Sequence, residues 1–175
     1  MTYRIAAPQD HSRIAAFYRD VIERTPRFAE TVRWKFGQHP SPATLERYIA
    51  DGEMYLWEQD GRLLSVMALT SQDEDYRAVP WQSGFSGDEV VVAHIFAVSP
   101  DYHGSGTAQA VMRDALALAK SCGKKALRLD TLSTNIRAQR FYTAMGFRYC
   151  GKQRGFPPHL MPDGGEFFYY EYPLL

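Results

Sequence analysis

Three titratable side chains and one glycine-bearing loop have the types and spacing to do chemistry. The segment His103-Gly104-Ser105-Gly106-Thr107-Ala108, followed by Gln109, lies between an apolar run and a helix-like stretch. Its successive backbone N–H groups, with those of the helix that follows, would form a concave donor surface for an anionic pyrophosphate. Glycine lets the backbone approach such a ligand, and Ala108 keeps the first helical turn narrow. The same loop also reads as a tight turn that binds nothing. His94 interrupts an apolar strand face. Its near-neutral imidazole suits base work, and a buried, hydrogen-bonded structural histidine is the competing reading. Asp130 ends a later strand. Tyr142 lies on an amphipathic helix, where a phenol with an ordinary pKa of about 10 is either a core aromatic or a proton donor.

Two nucleotide-binding patterns are close enough to be weighed. A dinucleotide fold would place its glycines directly after the strand, whereas residues 99–103 intervene here, and Gln109 stands at the third glycine position. Asp130 does imitate the ribose-binding acid of that fold, so a nicotinamide-dependent oxidoreductase stays in view as the weaker alternative. A nucleoside-triphosphate loop is excluded, because no Gly-Lys-Ser/Thr follows.

The elements that must position these residues follow from periodicity and punctuation. A short strand is expected over 3–6 and a helix over 8–23, with Ile14, Phe17, Tyr18, Val21 and Ile22 at helical spacing. Residues 27–42 read as irregular, and a helix follows over 43–50, stopped by Asp51-Gly52. Strands over 53–58 and 63–69 flank an Asp60-Gly61 turn, a hairpin signature. Residues 71–88 read as a long polar loop carrying Tyr76, Trp81 and Phe85, and loops of that length are commonly functional or mobile. A near-continuous apolar strand over 89–98 implies burial on both faces. Alternation puts Val92, His94, Phe96 and Val98 together on one of them. A helix over 107–122 ends at Gly123, a strand covers 126–132, and a helix covers 135–145 with Ile136, Phe141, Tyr142 and Met145 on one stripe. Strands over 147–152 and 166–172 close the chain. The fold class expected is α/β, one domain over 1–175 with a mixed, mostly antiparallel twisted sheet flanked by helices.

Composition sets the outer limits. A chain of 175 residues with 45% hydrophobic and 14% aromatic content can bury a full core, which argues against disorder. Twenty basic and twenty acidic residues give no net charge and form no basic block, so nucleic acid is not an expected partner. Apolar runs are too short to span a bilayer, and the first residues lead into no signal-peptide core. Cys122 and Cys150 lack disulfide or metal-site spacing and read as two free, mostly buried thiols, so no metal is expected and the compartment expected is the cytoplasm. A homodimer is compatible with the sequence and not readable from it.

Two motifs together carry a family resemblance. One is Val98-x-Pro100 leading into His103-Gly104-Ser105-Gly106-Thr107-Ala108. The other is Asn135-x-x-Ala138-x-x-Phe141-Tyr142-x-x-x-Gly146-Phe147. Over 89–151 the chain resembles the GNAT superfamily of acetyl-CoA-dependent N-acetyltransferases, with His103 standing where the family writes Arg or Gln. The resemblance implies an acyltransferase that moves an acetyl group from acetyl-CoA to a primary amine by direct attack. It implies that residues 103–109 take the pyrophosphate, that backbone groups of Phe96, Ala97 and Val98 hold the pantetheine arm, and that Asn135 meets the same arm. Asn135 is equally good as a helix N-cap. Tyr142 becomes the general acid for the leaving thiolate. His94, Asp130 or Glu89 becomes the base, and Asp130 has the competing role of orienting the Ser133-Thr134 turn. The variable segments 71–88 and 155–165 are expected to wall the acceptor site. Asp73, Glu74, Asp75, Asp88 and Glu89 point to a cationic small-molecule amine. A degenerate domain that senses acyl-CoA without turning it over is the non-catalytic alternative.

Overall fold

The Asp60-Gly61 pair forms the turn its residue types demand. Both residues have positive φ (52° and 73°), as a two-residue type I′ hairpin requires. The computed structural model describes residues 1–71, 75–154 and 165–174. Around this turn β2 (Met54–Gln59) and β3 (Arg62–Thr70) pair antiparallel, and β1 (Thr2–Ile5) pairs with β2 in the register Tyr3↔Trp57. Four further strands follow: β4 (Val90–Val98), β5 (Ala126–Leu132), β6 (Arg148–Arg154) and β7 (Glu166–Pro173). The seven strands make one mixed sheet in the order β1-β2-β3-β4-β5-β7-β6. β5 with β7 and β7 with β6 are antiparallel, whereas β4 and β5 run parallel.

Five α-helices accompany the strands among the described residues: α1 (His11–Arg24), α2 (Phe28–Thr31), α3 (Pro42–Ala50), α4 (Thr107–Ser121) and α5 (Ile136–Ala144). α3 begins one residue earlier than its apolar spacing predicts, because Ser41 caps it, accepting from the Thr44 N–H at 3.1 Å, and Pro42 suits the first helical position. α2 is a single turn inside the stretch expected to be irregular. None of the described helices is long and apolar enough to cross a membrane.

The chain divides into two compact units. The first, residues 1–29, 33–69 and 94–113, buries Ile14, Tyr18, Leu45, Met54 and Leu56, and its helices α1 and α3 pack on one another. The second, residues 30–32, 70–93 and 114–175, contains the parallel pairing Val90↔Ala126 and the antiparallel β5–β7–β6 strands. Its core includes Tyr76, Val79, Val92, Cys150 and Tyr169. β4 thus gives its first half to the second unit and its second half to the first.

Two expectations change here. Cys122, expected to be buried, is exposed just past the end of α4, while Cys150 is buried and both are free. Ile136, expected on the apolar stripe of α5, is 49% exposed in that helix's first turn.

Candidate active site

The first unit carries the loop. Gly104 and Gly106 take φ of +78° and +86°, a backbone that L side chains rarely adopt, and a Cβ on either would meet nothing within 4 Å. The loop is held from within. Ser105 Oγ donates to the Tyr102 carbonyl at 2.7 Å and lies 2.8 Å from Thr107 Oγ1, and the Ala110 N–H donates to the Gly106 carbonyl. Among the described residues no acceptor faces the N–H groups of Gly104, Gly106, Ala108 or Gln109. They are left as donors at a helix N-terminus, beside two glycines whose Cβ positions are open. That combination suits a phosphate-bearing group.

His103 does not point its ring at that space as a free donor. Its Nε2 lies 3.1 Å from the Val98 carbonyl, which can only accept, so this nitrogen carries the proton in the bond. The ring ties the loop back to the end of β4. Two of the three backbone positions expected to hold an extended ligand arm already have carbonyl partners. Ser65 Oγ donates to Ala97 at 2.7 Å, and His103 bonds Val98. Phe96 is half-buried beside them.

β4 carries one unusual backbone conformation. Ile95 sits at φ +45°, an outlier for a β-branched residue, and its carbonyl accepts the Tyr18 hydroxyl at 2.7 Å. Val92 is fully buried, whereas His94, Phe96 and Val98 are half-buried. Ala93, Ile95 and Ala97 between them are buried, so burial alternates over this half of the strand as the expected two faces require.

His94 stacks on Tyr48 of α3, ring centroids 6.2 Å apart and 16° from parallel. Burial, with smaller contributions from the charges of His39 and Arg47, pushes its pKa down to about 4. The near-neutral imidazole expected from sequence is replaced by one that stays uncharged through the physiological range. His39, seated 5.5 Å from Trp34, is also pushed down to about 4 by burial.

The second unit carries Asp130, Asn135 and Tyr142. Asn135 caps α5, its Oδ1 accepting from the Ala138 N–H at 3.2 Å. Tyr142 is buried among the rings of Phe141, Phe147 and Tyr170, at 5.4, 5.7 and 5.8 Å. Burial first, then the charge of Asp130, then Tyr170 raise its pKa above the ordinary phenol value, so it holds its proton. Asp130, half-buried on β5, accepts a hydrogen bond from the hydroxyl of Tyr76.

The Ser133-Thr134 turn, which Asp130 was expected to orient, has other fastenings. Gln139 Nε2 donates to the carbonyls of Leu132 (3.2 Å) and Ser133 (2.8 Å), while Thr134 Oγ1 donates to Thr31. Glu89 is committed elsewhere. It pairs with Lys125 at 2.6 Å and closes a capping box with Ser86, and its pKa is lowered by these contacts, Lys125 foremost. Lys124 donates to the Asp88 carbonyl, so this corner of the chain holds two lysines against its two acidic residues. The expected acidic residues Asp73 and Glu74 lie outside the described residues, as does the expected acceptor wall over 155–164.

Sequence reasoning missed the residues that fix Asp130. Tyr76 stacks on Trp81 (5.9 Å, 11°), and the Trp81 indole N–H donates to the Tyr76 carbonyl at 2.7 Å. The Arg128 guanidinium lies 4.2 Å from the Trp81 ring centroid and pairs with Glu171 at 2.8 Å, both side chains fully buried. Three aromatic residues within a polar stretch were the only signal available in the sequence.

Residues 16–147 match the sequence model of the Acetyltransferase (GNAT) family. An uncharacterized N-acetyltransferase of Mycobacterium tuberculosis is 35% identical over 86 residues, covering 48% of this chain and 54% of that protein. The chain thus spans about half the length of the curated relatives it matches. A GNAT-family acetyltransferase of Streptococcus agalactiae superposes with a TM-score of 0.79 at 21% identity, covering 98% of this chain and 94% of that one. A Salmonella typhimurium protein solved with its cofactor acetyl-CoA superposes at 0.69 with 15% identity, covering 100% and 94%.

Proposed function

Because this chain belongs to the Acetyltransferase (GNAT) family, we propose that it transfers an acetyl group from acetyl-CoA to the primary amine of a small molecule, by direct attack in a ternary complex. The observation that carries this reading is the cradle at 104–109, with two positive-φ glycines whose Cβ positions are open and N–H groups that have no acceptor among the described residues. The donor's pyrophosphate is the group whose charge and size match it. The glycines keep the approach clear, and His103 fixes the loop to the strand end through Val98.

Tyr142 is the general acid in this reading. As the amine nitrogen bonds the acetyl carbon and the carbon–sulfur bond breaks, the departing sulfur takes the Tyr142 proton, and the surplus proton that the nitrogen loses as the neutral amide forms restores the phenol. A phenol that burial keeps protonated has that proton ready, and the same dry surroundings raise the basicity of the thiolate receiving it.

Asp130 is the base. An amine that arrives as an ammonium ion gives its proton to the carboxylate, directly or through one water. The transfer converts a cation and an anion into two neutral groups, which burial favours. Transfer to His94 would create a cation near Arg47 and His39, where the environment already opposes imidazolium. We assign His94 to the wall of its own unit rather than to proton transfer. Asn135 supports the reading as the cap that starts the helix carrying Tyr142.

The test is a panel of primary amines with acetyl-CoA, followed by detection of free CoA thiol. An active amine should lose roughly ten- to ten-thousand-fold in kcat with Tyr142→Phe, at nearly constant CoA affinity. Asp130→Asn should abolish the acid limb of the pH profile, and His94→Gln should preserve it. Silence across the panel with intact CoA binding would favour an acyl-CoA sensor. An unchanged kcat in Tyr142→Phe, where chemistry limits turnover, would remove that residue from the mechanism.

A further inference from the structure

The Asp130 carboxylate is held by a residue that neither sequence motif contains. Tyr76 comes from a 3-10 turn (Asp75–Ala78) in the segment between β3 and β4, fifty-four positions from Asp130 along the chain. Its ring is 2% exposed, stacks flat on Trp81 and meets the edge of Tyr169 at 5.6 Å. Tyr169 is the β7 residue directly opposite Asp130 in the β5–β7 register, so the ring and the carboxylate share one side of that pair. All of these residues lie within the second unit.

The segment carrying Tyr76 is fastened by an ion pair beneath it. Glu171 accepts from the Ser83 N–H at 3.0 Å and from Ser83 Oγ at 2.6 Å, while Arg128 donates to the Phe85 carbonyl at 2.8 Å and covers Trp81. A surface loop would not need a fully buried Arg–Glu pair to tie it down. Such a pair contributes little net stability against an apolar substitute, and its best use is fixing one arrangement. The arrangement fixed here aims one phenol at one carboxylate.

We propose that Tyr76 is a positioning residue for proton transfer, its hydroxyl holding the Asp130 carboxylate in a single orientation toward the reacting amine. This rests on the assignment of Asp130 as base. A hydrogen bond donated to the charged form of a carboxylate lowers its affinity for a proton. Loss of the Tyr76 hydroxyl therefore raises the Asp130 pKa, moves the acid limb of activity to higher pH and frees the carboxylate to rotate.

The experiment is Tyr76→Phe, which keeps the ring, the Trp81 stack and the Tyr169 contact. Carboxyl carbon NMR of the free, aspartate-labelled protein should show the Asp130 titration midpoint about one pH unit higher than in wild type, a tenfold change in proton affinity. With acetyl-CoA and the best amine of the panel, kcat should fall roughly tenfold or more, with the KM for acetyl-CoA unchanged. In an Asp130→Asn background, Tyr76→Phe should have no further effect. An Asp130 titration and a pH profile that superimpose on wild type would overturn the proposal, as would an equal loss in the Asp130→Asn background. If Asp130→Asn itself leaves the acid limb in place while Tyr76→Phe still moves the titration, the assignment of the base fails and the positioning contact stands.

Discussion

Gly106→Val separates the two readings of the loop, because the substitution has a different cost in each. A Cβ at this position meets no atom within 4 Å, so the fold itself presents no clash. The cost to stability is that of holding a branched L residue at φ +86°, about 1–2 kcal/mol. For a chain of this size about 1 kcal/mol lowers Tm by roughly 2–4 °C, so a fall of roughly 2–8 °C is expected in calorimetry. If the open space is where the donor's pyrophosphate sits, the valine methyls occupy it and the Gly106 N–H loses its aim. One lost hydrogen bond to a charged group is worth about 1.5–3 kcal/mol, or roughly ten- to a hundredfold in affinity. Gly123→Val is the matched control. Gly123 has φ +74° and equally open space, past the far end of α4, so it should cost similar stability without affecting CoA. Both are measured by titrating CoA calorimetrically into the folded proteins. Wild-type CoA affinity in folded Gly106→Val would refute the cradle, and equal weakening in Gly123→Val would refute the local explanation.

Two predictions concern buried charge, one in each unit. His39 and His94 are both held down to about 4, against an ordinary value near 6.5. Between those values the unfolded chain binds more protons than the folded one, so stability should fall as pH drops from about 6.5 to about 4 and should be flat above. A tenfold difference in proton affinity is worth about 1.36 kcal/mol, so urea unfolding across that window should show a loss on the order of a few kcal/mol for the two rings, and less in His94→Gln; constant stability over the window would show that the rings are solvated. Arg128→Met strands the Glu171 carboxylate in a fully buried position and should cost about 3–5 kcal/mol in urea unfolding, whereas Arg128→Met with Glu171→Leu should recover much of that loss. A double variant as unstable as the single one would mean that the pair matters for its packing alone.

The parts of the fold that could be read from sequence are those whose geometry is decided within a few residues. Asp60-Gly61 specifies its own turn, and the hairpin follows in register from Gln59↔Arg62. β5 falls on the stretch its leucine content marks, Ala126–Leu132. α2 was not legible, because a four-residue helix is too short to show a period. Burial in β4 alternates from Ala93 to Val98 as its residues suggest, but nothing in the apolar run Val90–Val98 signals the positive φ of Ile95. The Tyr18 hydroxyl that bonds Ile95's carbonyl comes from a helix seventy-seven positions away. Ile136 illustrates the limit of helical spacing. It keeps the period, but as the first residue after the Asn135 cap it stands in the opening turn, where an apolar side chain can remain in water at small cost.

The same distinction governs the candidate site. The two glycines of the cradle act through their own φ, so their residue types announce them. A histidine's proton affinity is set by what packs against it, and for His94 that means His39, Arg47 and Tyr48, all contributed by segments about fifty residues earlier. Residue type alone therefore returned the solution value, and the burial that lowers it had no local signature. Asp130 is a sharper case. Its neighbours in sequence proposed a role in the Ser133-Thr134 turn; Gln139 bonds that turn, and the carboxylate accepts from a tyrosine fifty-four positions away, Tyr76. The trace left in the sequence was an excess rather than a pattern. A polar loop in water has no use for Tyr76 and Trp81 so close together, and aromatic rings of that size must be buried against something. What they are buried against is the Arg128–Glu171 pair and Tyr169, in the same unit as the carboxylate that the Tyr76 hydroxyl bonds.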